Sequence, residues 1–411
     1  MRKEDFEVMA PVGSFESLSA AIQSGCNSVY FGIEQLNMRA RSSINFTLDD
    51  LSEIAKRCNE HNVKSYITLN TILYDHDMNL MRMIVKRAKD DGISAVIASD
   101  HAVMNYAKSI QMPVHISTQA NVTNIESVEF YSMFADVMVL SRELSLRQVA
   151  HITNEIKRRE VKGPSGELVR IEVFAHGALC MAVSGKCYLS LHSHNASANR
   201  GACIQNCRKK YVVTDDEGTE LQIDNEYIMS AKDLCTIGFL DKVLEAGVQI
   251  LKIEGRGRSA DYVAKTVRCY RQAADSVVEG TYTREKVDAW MQELSTVYNR
   301  GFWDGYYMGQ KMGEWNDSYG SKATEKKIFI GKGVKYFNKI GVGEFKLETN
   351  TLSTGDKILI TGPTTGVIEA TVGELRLDDK TVESVQKGDV FSTPVAEVVR
   401  PSDKLYKILP N

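Results

Sequence analysis

No stretch of this 411-residue chain approaches the roughly 18 consecutive apolar residues of a membrane-spanning helix. The opening MRKEDFEVMAPVG places Glu4, Asp5 and Glu7 where a secretory leader would need an apolar run, so a cytoplasmic protein that makes no use of a membrane is expected. Net charge is nearly absent: 50 Lys and Arg against 53 Asp and Glu leave −3. That excludes a global nucleic-acid footprint, and any contact with RNA would have to use local patches such as CRKKY at 207–211. No G-x-G-x-x-G follows the first predicted strand, which removes the usual dinucleotide site. Neither H-E-x-x-H nor G-x-S-x-G occurs, so zinc or serine hydrolysis has no local signature. What is present is a 43% apolar, 25% charged composition sufficient for a large buried core.

Over the first 260 or so residues one theme repeats: a short β-branched run, a polar loop, then an amphipathic stretch closing on glycine. FEVMAPVG precedes SFESLSAAIQSG, in which Leu18, Ala21 and Ile22 share a helical face and Gly25 suits a C-terminal cap. NSVYFGI follows, then VKSYITLNT, then a helix with a stripe of Leu80, Met83, Ile84 and Ala88 that closes on Gly92, then ISAVIASD. Further predicted strands are VHISTQ, ADVMVLSR, IEVFAHG, YIMSAKD and ILKIEG, and Ser145 with Gln148 forms a capping box. Such alternation indicates an α/β fold, a TIM-like (β/α) barrel over 1–283 with an inserted cysteine-rich region at 177–211; an open doubly wound sheet is the alternative. A helical, then aromatic and glycine-rich connector is expected at 284–324, with the linker at NDSYGSKA, 316–323. From 325 to 411, short alternating strands point to a small C-terminal antiparallel β-barrel domain.

In TIM-type barrels chemistry sits at the C-terminal ends of the strands. The polar residues there are Asn70, Asp100, Gln119, Arg142, Glu143, His176, Asp233, Glu254 and Arg256, each of which would otherwise be a helix cap or a loop-stabilising hydrogen bond.

GALCMAVSGKCYLSLHSHNASANRGACIQNCRKKY, 177–211, carries four of the eight cysteines. In a reducing compartment clustered thiols favour metal or redox chemistry over disulfides. Six, fifteen and three residues separate Cys180, Cys187, Cys203 and Cys207. Only the last spacing suits a zinc knuckle, whereas iron–sulfur clusters accept irregular spacing; a 4Fe-4S cluster, zinc and unligated thiols all stay open on spacing alone. Gly177, Gly185 and Gly201 would let backbone N–H groups approach the sulfurs. Cys26, Cys58 and Cys269 read as buried and inert, and Cys235 as a substitute ligand should one of the four go unused.

EVFAHGALCMAVSGKCYLS, NRGACIQNCRKKY, SAKDL and LKIEGRGRSADYV, with the opening MAPVGSFESLSAAIQSGCNSVYFG, closely resemble the collagenase-like peptidase family U32. The appended C-terminal domain resembles the tRNA-hydroxylating branch of that family; another branch is similar in the barrel and hydroxylates ubiquinone precursors. The resemblance implies formation of 5-hydroxyuridine at the wobble position of tRNA, with prephenate as co-substrate and a 4Fe-4S cluster held by Cys180, Cys187, Cys203 and Cys207. It also offers two other readings, a peptidase acting on collagen-like protein and a non-catalytic subunit that works with a paired family member or a second copy of itself.

Prephenate carries two carboxylates, which call for forked, permanently charged donors. Arg39, Arg41, Arg142, Arg256 and Arg258 lie in loops after predicted strands, with Arg142 and Arg256 the first choices and Gln119 and Asn70 beside them as substrate-binding residues. Glu254 would orient Arg256 or act as acid and base, or pair with Arg256 simply to fix the loop, and His176 would shuttle a proton. A splayed anticodon-loop uridine would stack on Tyr30, Phe31, Tyr188 or Tyr211, and its backbone would follow Arg208, Lys209 and Lys210 and the lysines 326, 327, 332 and 335.

Overall fold

The structure is a computed structural model that describes residues 2–41, 44–212, 214, 216–218, 227, 229–318, 320–378 and 380–411. Its centre is a closed barrel of eight parallel strands: β1 (Glu7–Pro11), β2 (Ser28–Phe31), β3 (Lys64–Leu69), β4 (Ala95–Ala98), β5 (Val114–Ile116), β6 (Val137–Val139), β7 (Arg170–Ala178) and β9 (Ile250–Ile253). Each pairs with its predecessor, and β9 pairs with both β7 and β1, so Ile250 stands opposite Glu172 on one side and Glu7 on the other. These strands are buried on both faces, which is why VMA, SVYF, YITL and AVIA read as unbroken apolar runs rather than alternating ones.

Helices α1 (Phe15–Gln23), α2 (Leu51–Glu60), α3 (Met78–Asp90), α4 (His101–Ser109), α5 (Ile125–Ser132) and α6 (Leu146–Arg159) fill the crossovers. The short α7 (Leu189–His194) lies in the cysteine-rich insertion, and α8 (Leu240–Glu245) and α9 (Ala260–Val278) flank β9. Ser14, Asp100 and Asn124 cap the helices they precede, and Ser145 and Gln148 form the expected box. The stripe on α3 is rotated from expectation: Met81, Ile84, Val85 and Ala88 are buried, whereas Met83 is exposed and Leu80 only partly covered. Val85 completes the i, i+3, i+4, i+7 set from Met81, which packs a whole face against the sheet.

YIMSAKD does not supply a barrel strand. Ile228 lies outside the described residues, and the strand β8 (Asp233–Cys235) runs antiparallel to the end of β7, pairing His176 with Cys235. The connector is welded to this extension: α10 (Arg284–Ser295) places Val287, Trp290 and Leu294 in the barrel core, and β10 (Phe302–Trp303) pairs with β8. Tyr307 donates its hydroxyl to the Phe174 carbonyl at 2.8 Å. Of the expected linker, Tyr319 lies outside the described residues; Asn316 and Lys322 donate their backbone N–H groups to Ser230 and Asn299.

The C-terminal strands β11 (Glu325–Phe337), β12 (Val342–Leu347), β14 (Lys357–Gly362), β15 (Gly366–Thr371), β16 (Leu375–Leu377), β17 (Lys380–Val382), β19 (Val390–Pro394) and β20 (Lys404–Pro410) form one antiparallel sheet, joined by the two-stranded ladder of β13 (Thr351–Ser353) and β18 (Ser384–Gln386). They enclose a separate core in which Phe345 stacks on Phe391. The domain docks on the barrel through Lys327 with Asp261, and Gln23 with the Thr365 carbonyl at 2.8 Å.

Candidate functional site

The C-terminal ends of the barrel strands and the cysteine-rich insertion enclose a cavity of about 260 Å³. Asn70, Gln119, Arg39, Arg142, Glu254 and Arg256 reach it from five different loops, together with all four insertion cysteines, Cys180, Cys187, Cys203 and Cys207. The floor is made by Tyr30, Thr68, Ile97, Phe174 and Lys252. Residues 252, 254 and 256 share the inward parity of β9 and its continuation, so an amine, a carboxylate and a guanidinium face the cavity from one stretch of chain.

Charge is heavily one-sided. Seven basic side chains line the cavity, Arg39, Arg142, Arg208, Lys252, Arg256, Arg258 and Arg300, against the single carboxylate of Glu254. Burial pushes the Glu254 carboxyl up, but Arg39, at 2.8 Å, then Arg258 and Arg142 overcome it and hold the group below its ordinary range. Glu254 pairs with Arg39 and not with Arg256, which corrects the two expectations that tied it to Arg256 and leaves the acid–base one standing. Arg256 is buried, donates to Thr68 Oγ1 at 2.8 Å and has no carboxylate partner among the described residues; burial pulls its pKa down to about 10. Arg142 lies over the Phe174 ring at 4.9 Å and donates to the Ala178 carbonyl and to Ser184 Oγ, again without a carboxylate. Three of the seven are paired, Arg39 with Glu254, Lys252 with Glu172 and Arg300 with Asp233, so the positive character that suits an anion comes from the other arginines, Arg142 and Arg256 first.

The four thiols share this space. Burial first, and then Cys180, Cys203 and Cys187, push the Cys207 thiol above its ordinary value, while Arg208 draws it down; Cys180 and Cys203 in turn help hold Arg39 above the usual guanidinium range. Among the described residues no three His, Cys, Asp or Glu side chains converge on a point that would hold a metal ion. By the chemistry of the donor set, four thiols lining one cavity with arginines beside them are residues that would fit the iron–sulfur group the family resemblance implies, its negative charge balanced by those arginines.

The glycines of the insertion serve its close approach to the barrel loops. Each has positive φ, and a Cβ would fall 2.6 Å from the Glu254 carbonyl at Gly177, 2.7 Å from Gln119 Oε1 at Gly185 and 2.3 Å from the Asn37 carbonyl at Gly201. They let the insertion lie against the barrel loops.

Several expected residues stand elsewhere. His176 is buried among Tyr262, Tyr270 and Phe302, with Nδ1 3.4 Å from the Tyr270 hydroxyl, because the irregularity in β7 between Phe174 and His176 gives the inward position to Phe174. It does not line the cavity, and burial lowers its pKa to about 3, so it has no geometry for proton transfer there. Arg41 is exposed and outside the wall. Cys235 is buried with its sulfur 3.7 Å from Met291 Sδ and 3.8 Å from the Tyr270 hydroxyl, and does not line the cavity, so it offers no substitute ligand. Phe31 is core, and Asp100 and Glu143 bind local backbone or hydroxyl groups. Arg208 donates to the carbonyls of Leu179 and Ala231, which ties the insertion's two ends together. Lys327 and Lys332 are paired with Asp261 and Glu348. Conversely, the reading of strand ends missed Lys252, although a lysine inside the apolar run ILKI was its signal.

A (β/α)8 barrel whose C-terminal face carries a cavity lined by cations and four thiols defines the class as a TIM-like barrel protein with a cysteine-rich insertion. The chain belongs to peptidase family U32, whose model matches residues 13–317. It is 58% identical over 408 residues to a Porphyromonas gingivalis protein named collagenase, covering 99% of each chain. It is 32% identical to tRNA hydroxylation protein P of Helicobacter pylori, covering 74% of this chain and 71% of that one. To the 23S rRNA 5-hydroxycytidine C2501 synthase of Escherichia coli it is 28% identical, covering 85% of this chain and 52% of the relative. Among the described residues no helix is long and apolar enough to cross a membrane.

Proposed function

We propose that this protein is an RNA hydroxylase that converts the wobble uridine of tRNA to 5-hydroxyuridine, with prephenate as co-substrate and a 4Fe-4S cluster on Cys180, Cys187, Cys203 and Cys207. The observation that carries the reading is the joining of four thiols and seven basic side chains around one cavity at the catalytic end of the barrel. When bound, the cluster would supply electron-transfer or Lewis-acid chemistry. The chain's own part is binding and orientation. Arg256 and Arg142, which among the described residues have no carboxylate partner, would take the two carboxylates of the co-substrate. Glu254, kept ionised by Arg39, would accept a proton or orient a hydroxyl. The anticodon loop would approach over the insertion, where Tyr188 is 73% exposed and free to stack on a base.

The collagenase name of the 58% identical relative favours a second reading, a peptidase. Against it, among the described residues no histidine lines the cavity, and the hydroxyls of Ser117 and Ser184 accept from Asn70 and Arg142. The test is to isolate the protein anaerobically, supply it with prephenate and tRNA lacking the modification, and digest the RNA for mass spectrometry, with gelatin cleavage measured in parallel. 5-Hydroxyuridine at the wobble position is expected. Gelatin cleavage that depends on the cavity residues, with unmodified tRNA, would overturn the proposal.

A further inference from the structure

TIM-barrel interiors are usually filled by Val, Ile and Leu. Here Lys252 stands inside the barrel, 4% exposed, with Nζ 2.6 Å from Oε1 of the fully buried Glu172. Its ammonium lies over the Tyr30 ring at 4.5 Å and the Phe174 ring at 5.6 Å, both on the cavity floor. It is the one lysine among the described residues that line the cavity. A buried ion pair of this kind gives little net stability over apolar side chains of the same volume, so structure alone does not account for it. A purely structural pair would also satisfy both carboxylate oxygens, yet Glu172 Oε2 is buried and has no hydrogen-bond partner.

An amine that can hand its proton to an adjacent buried acid, on the floor of a cavity whose walls hold unneutralised arginines, matches one kind of ligand: a carboxylate carrying a carbonyl. We propose that Lys252 is a catalytic residue that forms a Schiff base with a 2-oxo carboxylate held by Arg256 and Arg142, with Glu172 carrying the proton. Lys252 passes one proton to Glu172, and the freed amine adds to the keto carbon. The carbinolamine then loses its oxygen as water, using the proton returned by Glu172. One C=O is exchanged for one C=N, and no electrons are transferred. Burial favours the protonated acid: desolvation holds the Glu172 carboxyl above its ordinary value although Lys252 opposes it. The inference rests on the carboxylate-binding half of the reading above and needs neither RNA nor a cluster.

The experiment is reductive trapping. The purified protein is mixed with pyruvate or phenylpyruvate, treated with sodium borohydride, and examined by intact mass and peptide mapping, with lactate as the control lacking a keto group. A single reduced adduct on Lys252 is expected, saturating with the 2-oxo acid, absent from Lys252→Arg and formed at least tenfold more slowly in Glu172→Gln. Unmodified Lys252 at saturating 2-oxo acid, or adducts scattered over exposed lysines and unchanged in Lys252→Arg, would overturn it. Mapping on the wild-type chain decides the matter even if Lys252→Arg fails to fold. Since trapping requires no RNA, its failure leaves the hydroxylation assay standing, and the converse holds.

Discussion

Glu254 reaches across the barrel mouth to Arg39, 2.8 Å away and 215 residues earlier in the chain, rather than to Arg256 two residues along. The consequence is a division of labour: Arg39 is neutralised and holds the carboxylate in place, while Arg256 stays available to a ligand. A double-mutant cycle on Arg39→Ala and Glu254→Gln should give a coupling of about 1–3 kcal/mol in unfolding experiments, as expected for a charged hydrogen bond at a partly wet site. The same cycle on Arg256 and Glu254, which act on each other through charge but share no hydrogen bond, should give a clearly smaller coupling. A strong coupling to Arg256 would mean that the loop is pinned by the short-range pair instead.

The insertion cysteines should act as a set. Anaerobic protein should carry about four iron and four sulfide per chain with a broad visible absorption, and Cys180→Ser, Cys187→Ser, Cys203→Ser and Cys207→Ser should each deplete it. Cys235→Ser should leave metal content unchanged, because that thiol packs against Met291 away from the cavity. Stoichiometric zinc with no sulfide would sink the cluster assignment.

Much of this architecture was legible because the barrel strands are buried on both faces and the helices on one, so period and run length separate them. YIMSAKD misled for the same reason: it is an apolar run of strand length, but the strand begins only at Asp233 and runs the other way, a choice made by pairing with the end of β7. The strand β20 escaped notice although it pairs with both β11 and β14, because KLYKILP mixes charge with apolar residues. At the site, Arg39, Arg142, Gln119, Asn70 and the four cysteines were accessible as polar or sulfur-bearing residues at strand ends or in one glycine-rich loop. Inward or outward direction was not. A single irregularity in β7 turns His176 out of the cavity and Phe174 into it, and nothing in IEVFAHG announces it.

Gly201 is a sharp test of how the insertion docks. Its φ of +80° disfavours any other residue, and a Cβ would lie 2.3 Å from the Asn37 carbonyl, a backbone atom that cannot step aside cheaply. Gly201→Ala should cost about 1–3 kcal/mol of stability and, since Cys203 lies two residues on, lower iron retention. Gly218→Ala, where φ is likewise positive and no atom of the described residues stands within 4 Å, is the matched control and should retain iron fully. Equal iron content in the two variants would show that the insertion does not depend on this close approach.

His176 and His115 are both buried and both pushed down to about 3 by that burial. Above about pH 6.5 neither distinguishes the folded from the unfolded chain. As pH falls below that value the unfolded chain takes up protons that the folded chain refuses, so each histidine removes up to about 1.4 kcal/mol of stability per pH unit until its folded pKa is reached. Glu172 and Asp233, whose carboxyls burial holds above the ordinary value, act in the opposite direction, so the wild-type slope mixes signs. The clean quantity is the difference between wild type and His176→Phe, a replacement that keeps a ring among Tyr262, Tyr270 and Phe302. Urea unfolding at pH 7 and pH 5 should show the variant gaining about 2 kcal/mol relative to wild type on acidification. Parallel curves at the two pH values would mean that His176 is protonated inside the fold, and would return it to consideration as a proton-carrying group.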